Sequence, residues 1–367
     1  MPHPGMHGNS SGPRLIAWEL TRRCPLKCVH CRAKATMDPI HGEFSTDECK
    51  KVLDNVAAFS SPIMILTGGE PLLRDDILEI AEYGNSLGLR MVLATCGTLM
   101  TPEMAQNLVD AGIMRISLSI DGATSDTHDK FRGEQGAYEA VMRAIEYAKA
   151  VNLPFQINTT VTKTNLHEVS DILDLAIEKG AVAFHPFLLV PTGRGELMKD
   201  RELDPEEYEE ALEWIYERST SSPIEFKPTC APHYYRIFRQ KEKAQGRSVT
   251  PQTHGMAAMT KGCLGGQGFA FVSNVGELQI CGFLDVKCGD LRASNYNFQK
   301  NWESNPVFLQ IRAQDDYDGR CGYCEYRNVC GGCRARAYAM TENYLGEEPY
   351  CVYEPQRADP RAQSTES

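Results

Sequence analysis

The chain has 367 residues, 42% hydrophobic and 24% charged, with a formal net charge of -11 at pH 7. That length holds one large core or two unequal ones, and that composition excludes a disordered chain. The acidic balance argues against nucleic acid as a partner, because phosphate binding needs a net basic surface, and no apolar run approaches the roughly 18 residues of a membrane span.

The opening stretch MPHPGMHGNSSGP has no apolar signal core, so residues 1–13 are expected to form a flexible tail and the protein to be cytoplasmic. Cysteines in such a chain stay reduced, and the clustering of these fourteen points to metal. Three groups stand out: Cys24, Cys28 and Cys31; Cys263 and Cys281; and Cys321, Cys324, Cys330, Cys333 and Cys351. Cys49, Cys96, Cys230 and Cys288 lie outside them.

From residue 14, six β-rich runs alternate with amphipathic ones. RLIAWEL, PIMILTG, RMVLAT, MRISLSI, FQINTTV and VAFHPFLLV have the apolar, β-branched content of buried parallel strands. Among the intervening helices, STDECKKVLDNVAAF is opened by Ser45 or Thr46 with an acidic residue three positions on. TPEMAQNLVDAG has Pro102 near its start and Gly112 after its end. Repeated strand–helix units imply parallel pairing with right-handed crossovers, and six of them fall short of a closed eight-fold barrel. The expected fold is therefore α/β, a partial (β/α)6 TIM-like barrel over residues 14–200. Its chemistry belongs on the loops that follow the strands. The cysteine triplet occupies the first loop, LTGGEPLLR the second, TCGTLMTPE the third and DGATSDTHDKFRG the fourth, all at one mouth.

Beyond VPTGRGE, an acidic helix DPEEYEEALEWIYERS and the stretch KPTCAPHYYRIFRQ form a bridging segment, residues 201–260. GFAFVSNVGELQICGF reads as a hairpin turning at Asn274 to Gly276, within a small cysteine-rich domain over residues 261–355. So small a unit has little apolar core and needs metal to hold it. Residues 356–367 are expected to form a second flexible tail.

A structural zinc site wants four ligands, and nothing near residues 24–31 supplies a well-placed fourth cysteine; His30 sits between two of the three. Three thiolates on a tight loop suit a 4Fe-4S cubane with one iron left open. With its x3 and x2 spacing and His30 before the last cysteine, the triplet resembles the signature of the radical SAM family. The resemblance implies S-adenosyl-L-methionine as cofactor beside one 4Fe-4S cluster in the barrel. It further implies that the TGGEP loop, with Gly68, Gly69 and Glu70, holds the cofactor's amino group, and that Ser119 and Arg132 contact its carboxylate. No conventional acid or base is demanded, and no catalytic side chain is singled out.

Taken alone, the CxxC pairs near the end of the chain are what structural zinc sites use. The order Cys263, Cys281, Cys321, Cys324, Cys330, Cys333, Cys351 resembles the SPASM extension of radical SAM enzymes, which implies one or two auxiliary 4Fe-4S clusters. By that likeness Cys321, Cys324, Cys330 and Cys351 hold one cluster, and Cys263, Cys281 and Cys333 hold three corners of another. The fourth corner stays open between Cys230, Cys288 and a substrate group.

PRLIAWELTRRC, CVHCRAKA, FLLVPTGRGE, TCAPHYYRI, GCLGGQGFAFVS and CGGCRARAYA together resemble the heme b synthases, over residues 14–355. That likeness implies a tetrapyrrole substrate, iron-coproporphyrin III, two of whose propionates become vinyl groups, and a low-potential electron donor protein. Removal of side chains from a siroheme derivative and peptide maturation are the alternatives within the wider family. Arg194, Lys227, Arg236, Arg239, Arg334 and Arg336 are candidates for pairing with propionates, and Cys230, His233 and Tyr234 for ligating the substrate's iron.

Overall fold

The computed structural model describes residues 12–356. The expected tails lie outside the described residues, except for Gly12 and Pro13, which are buried in the fold, and Gln356, whose N–H donates to the Glu325 carboxylate at 3.3 Å. A Cβ on Gly12 would come within 2.5 Å of the Ser60 Cβ.

One sheet organises the molecule. Its strands in chain order are β1 (Leu15–Glu19), β2 (Ile63–Thr67), β3 (Arg90–Ala94), β4 (Ile116–Ser119), β5 (Phe155–Val161), β6 (Ala183–Leu188), β7 (Glu225–Phe226), β8 (Phe269–Val272), β9 (Glu277–Gln279) and β10 (Gly289–Asp290). Across the sheet they run β10-β9-β8-β1-β2-β3-β4-β5-β6-β7. Strands β1 to β6 pair in parallel, each within the stretch that the sequence predicts. Their apolar residues explain why: Ile16, Trp18, Met64, Leu66, Met91, Leu93, Ile116, Leu118 and Ile157 are all fully buried in one continuous core. Helices form the crossovers, as parallel pairing requires.

The helix Thr46–Phe59 begins on Ser45, not Thr46. The Ser45 hydroxyl accepts the Glu48 N–H at 3.3 Å and the Glu48 carboxylate accepts the Ser45 N–H at 3.0 Å. The helix Pro102–Asp110 is capped by Thr101 and has proline at its first position.

Two additions carry the sheet past the six expected strands. The bridging segment contributes β7, parallel to β6. The predicted hairpin forms as β8 and β9, turning at Gly276 with φ +88°, and β8 lies parallel against β1 with Leu15 opposite Phe269. The cysteine-rich region thus grows directly from the barrel's first strand. Arg292 ties it down further, its guanidinium meeting Glu48 at 2.6 and 2.9 Å and lying 4.4 Å over the Phe44 ring. Among the described residues no helix is long and apolar enough to cross a membrane.

Candidate functional site

The cysteine triplet occupies the loop after β1, which is held from three sides. The Cys24 N–H donates to Thr36 O at 2.8 Å, closing the loop on itself. The end of the helix Ser125–Arg132 accepts Lys27 N–H and Val29 N–H through Arg132 O and Phe131 O. From the far side Arg194 donates its Nε to Cys28 O and a terminal nitrogen to Ala35 O, both at 2.8 Å, while its own N–H reaches Cys31 O at 2.9 Å. Read from the sequence as a partner for propionate, Arg194 instead spends these donors on the cysteine loop. His30 is half-buried, its ring 4.7 Å from that of Phe131, and loss of solvent around the ring followed by the nearby Arg132 holds its pKa well below the ordinary value.

The glycine loop after β2 lies directly against this one. Gly69 and Glu70 donate their N–H groups to Thr21 O and Arg23 O, each at 2.7 Å. A Cβ on Gly68 would fall 2.4 Å from Thr21 O, and one on Gly69 would fall 2.3 Å from Arg23 O, so only glycine permits the approach. Glu70 is fully buried and its carboxylate accepts from the Thr95 hydroxyl at 2.8 and 2.9 Å, from Cys96 N–H at 2.7 Å and from Leu72 N–H at 3.0 Å. Expected to touch the cofactor, it braces the second loop against the third.

These loops enclose a cavity of about 240 Å³ at the mouth of the barrel, lined by Cys24, Cys28, Cys31, Gly68, Gly69 and Ser119 among others. Its walls include two cations, Arg132, which the radical SAM likeness singles out, and Arg32, which the sequence reading did not single out. Arg132 is buried. It pairs with the buried Asp121 at 2.6 Å, approaches the Cys28 sulfur at 3.7 Å, and leaves its Nε unpartnered. Arg32 contacts Glu19 at 3.2 Å and lies 4.4 Å over the Phe271 ring.

The sulfurs of the triplet are not equivalent. A hydrogen bond from the Cys96 thiol draws the pKa of Cys24 down against the effect of burial, whereas burial pushes Cys28 up despite Arg132. Among the described residues no three Cys, His, Asp or Glu side chains converge on one point as ligands of a single metal ion do. Two donor sets are instead marked by the cavities they line, the triplet at the barrel mouth and Cys321, Cys324, Cys330 and Cys351 beyond it. Three thiols, a glycine loop in backbone contact with theirs and a buried guanidinium with a free N–H on one enclosed space fit an iron-sulfur cluster with an amino-acid cofactor beside it.

Seven of the remaining cysteines are those that the sequence reading divides into two further sets. Cys321, Cys324, Cys330 and Cys351 line one small cavity of about 30 Å³, together with His233 and Arg236. His233 is buried with both ring nitrogens unpartnered, and burial holds its pKa down at about 4. Arg236, a second expected substrate contact, is engaged by Glu209, one nitrogen at 2.7 Å, and by Gln240 at 2.9 Å. In the other set, Cys263 and Cys281 flank Gly265, where an added Cβ would lie 3.5 Å from the Cys263 sulfur and 3.6 Å from the Cys281 Cβ. Burial pushes Cys281 up to about 12 and Cys333 to about 11, so these thiols give up protons only to a strong cation.

Two fully buried arginines stand between the sets. Arg334 donates to Gly346 O and reaches the Cys321 sulfur at 3.6 Å. Arg336 donates to Leu189 O at 2.9 Å and to Cys230 O at 3.3 Å, and pairs with the fully buried Glu348 at 3.6 Å. Lys227, Arg239 and Tyr234 also lie outside the barrel cavity, Arg239 donating to Val249 O and Ala258 O. Sequence reasoning missed Asp121, Arg32 and Glu348; SIDG and GEEP look like turns, and nothing local marks a carboxylate that will be buried.

A family model described as the radical SAM superfamily matches residues 18–176. The chain is 53% identical over 346 residues to the AdoMet-dependent heme synthase of Methanosarcina barkeri, covering 94% of this chain and 98% of that protein. It is 50% identical to the protein of the same name from Nitratidesulfovibrio vulgaris, covering 98% of this chain and 99% of that one. In architecture it is similar to Streptococcus suis SuiB bound to S-adenosylmethionine, with a TM-score of 0.75 at 16% identity over 94% of this chain and 78% of that one.

Proposed function

The chain belongs to the radical SAM superfamily, in the branch of the AdoMet-dependent heme synthases, and from that membership we propose that it converts two propionates of iron-coproporphyrin III into vinyl groups, giving protoheme. It is an enzyme of heme biosynthesis whose cofactors are S-adenosyl-L-methionine and a 4Fe-4S cluster. In this reading Cys24, Cys28 and Cys31 hold the cluster, and Gly68, Gly69, Ser119 and Arg132 line the cofactor's place. When bound, cluster and cofactor supply a 5'-deoxyadenosyl radical by one-electron cleavage of the sulfonium.

The chain's own residues orient and shield. The backbone contacts between the cysteine and glycine loops fix the two donor sets relative to each other, so that neither shifts alone. Leu188, Leu189, Val190 and Phe187 wall the cavity with apolar surface that keeps water from a reactive carbon. Arg32 and Arg132 supply positive charge for carboxylates.

The observation that carries decarboxylation is at Phe283. This residue lines the barrel cavity, and its N–H donates to the Cys281 sulfur at 3.2 Å. Loss of hydrogen from the propionate carbon next to the macrocycle leaves a substrate radical. To become an alkene it must lose carbon dioxide and one more electron, so an acceptor has to stand near the pocket. Cys281 thus lies one hydrogen bond behind the cavity's wall, and its set would hold an iron-sulfur group able to accept an electron, where zinc would not. A low-potential donor protein completes the partners.

Anaerobic incubation with iron-coproporphyrin III, S-adenosylmethionine and a low-potential reductant tests the reading. Mass analysis should show the monovinyl species and then protoheme, each with one deoxyadenosine per vinyl group. Deoxyadenosine release with no change in the porphyrin would sink it.

A further inference from the structure

Cys263, Cys281 and Cys333 make an incomplete donor set, and the sequence leaves its fourth member open. We propose that Cys230 is the fourth thiolate of this set, so that the metal group it holds is fully ligated by protein and exchanges electrons without binding substrate. The proposal rests on the iron-sulfur reading of the site and deepens it.

The fold brings Cys230 there by contacts that do not involve its sulfur. Gly262, just before Cys263, packs onto Pro232, where an added Cβ would lie 2.5 Å from the Pro232 Cα. Cys333 opens the helix Arg334–Thr341, and Arg336 in its first turn donates both terminal nitrogens to Cys230 O at 3.3 Å. Tyr208 donates its hydroxyl to the same carbonyl at 3.0 Å. The Cys230 loop is thereby pinned to the loops of two other members of the set.

The backbone adds an independent sign. Cys230 holds φ +57°, a left-handed conformation that strains a residue with a side chain and persists where surroundings impose it. The other candidate behaves differently. Cys288 is fully buried and its thiol donates to Val286 O at 3.3 Å. It is an ordinary core thiol.

The conformation also provides a clean test. Glycine tolerates φ +57° without strain, so Cys230→Gly removes the sulfur while favouring the backbone. The reconstituted full-length holoenzyme, Cys230→Gly, Cys230→Ser and the control Cys288→Ala are compared by iron and acid-labile sulfide per chain and by Mössbauer and EPR spectra after dithionite reduction. Both Cys230 variants should lose about four iron atoms per chain, or should show one cluster of altered spectrum that oxidises to a three-iron form, with Cys288→Ala like the parent. Parent-like iron and spectra in Cys230→Gly would overturn the proposal, as would loss in Cys288→Ala alone. These readouts need no porphyrin, so an inactive parent with normal iron would count against the proposed reaction and leave this assignment standing.

Discussion

The carboxylate of Glu348 accepts the backbone N–H of Cys333 at 2.6 Å, while the N–H of Glu348 itself points at the sulfur of Cys321 at 3.4 Å. One buried residue thus touches both C-terminal cysteine sets, and its charge is balanced by Arg336, which is equally buried. Replacing one partner of such a pair leaves the other desolvated and alone, at a cost of about 3–5 kcal/mol. Glu348→Ala is therefore expected to lower the unfolding midpoint sharply and to reduce iron in both sets at once. Loss confined to one set, seen by EPR, would contradict the bridging role.

Arg194 braces the cysteine loop through two charge-assisted bonds, each contributing about 1.5–3 kcal/mol. Arg194→Met is expected to cut deoxyadenosine formation at least about tenfold through lower iron in the barrel site, with porphyrin affinity unchanged. A weakened porphyrin affinity with full iron would return this arginine to the substrate.

Gly69→Ala puts a methyl group 2.3 Å from Arg23 O, backbone against backbone, where neither side can give way cheaply. S-adenosylmethionine binding, measured by equilibrium dialysis, should fall by about a hundredfold or more. Unchanged binding would show that the two loops are free to separate.

His128 is buried, and its Nδ1 accepts the Asp121 N–H at 3.1 Å. Burial, then Arg132, lowers its pKa from 6.5 to about 3. Between those values the unfolded chain binds a proton that the folded chain does not, so stability falls as pH drops below 6.5 by about 1.4 kcal/mol per unit for this group. His128→Asn, whose side-chain oxygen can accept the same bond, is expected to flatten the slope between pH 6.5 and 4 by one proton's worth. Denaturant midpoints at several pH values measure it, and an unaltered slope would count against the neutral buried ring.

What the sequence disclosed follows from how locally each feature is encoded. The strands β1 to β6 were legible because buried parallel strands are written as apolar runs, and the cysteine triplet because its spacing is a single-loop property. The pairing of β8 with β1 was not legible, since a parallel ladder between Leu15 and Phe269 leaves no mark in either stretch. The bracing role of Arg194 was not legible for a related reason: its partners there are backbone carbonyls, which carry no residue identity. Glu348 is one of two adjacent acids in GEEPYC, which looks like surface. Cys230 was visible as a cysteine outside the groups, but its company with Cys333 depends on a helix a hundred residues later.

The ladder between β1 and β8 has a consequence for how the molecule is made. As the nascent chain leaves the ribosome, β2 can cover one flank of β1 early, yet the other flank stays bare until Phe269 to Val272 emerge. Through most of synthesis an apolar edge with unpaired amides is open to neighbouring polypeptides, the circumstance in which chaperones are engaged. Stalled or truncated products ending before residue 269 are for that reason the aggregation-prone species, and overproduction at lower temperature should raise the soluble fraction by slowing encounters between such fragments.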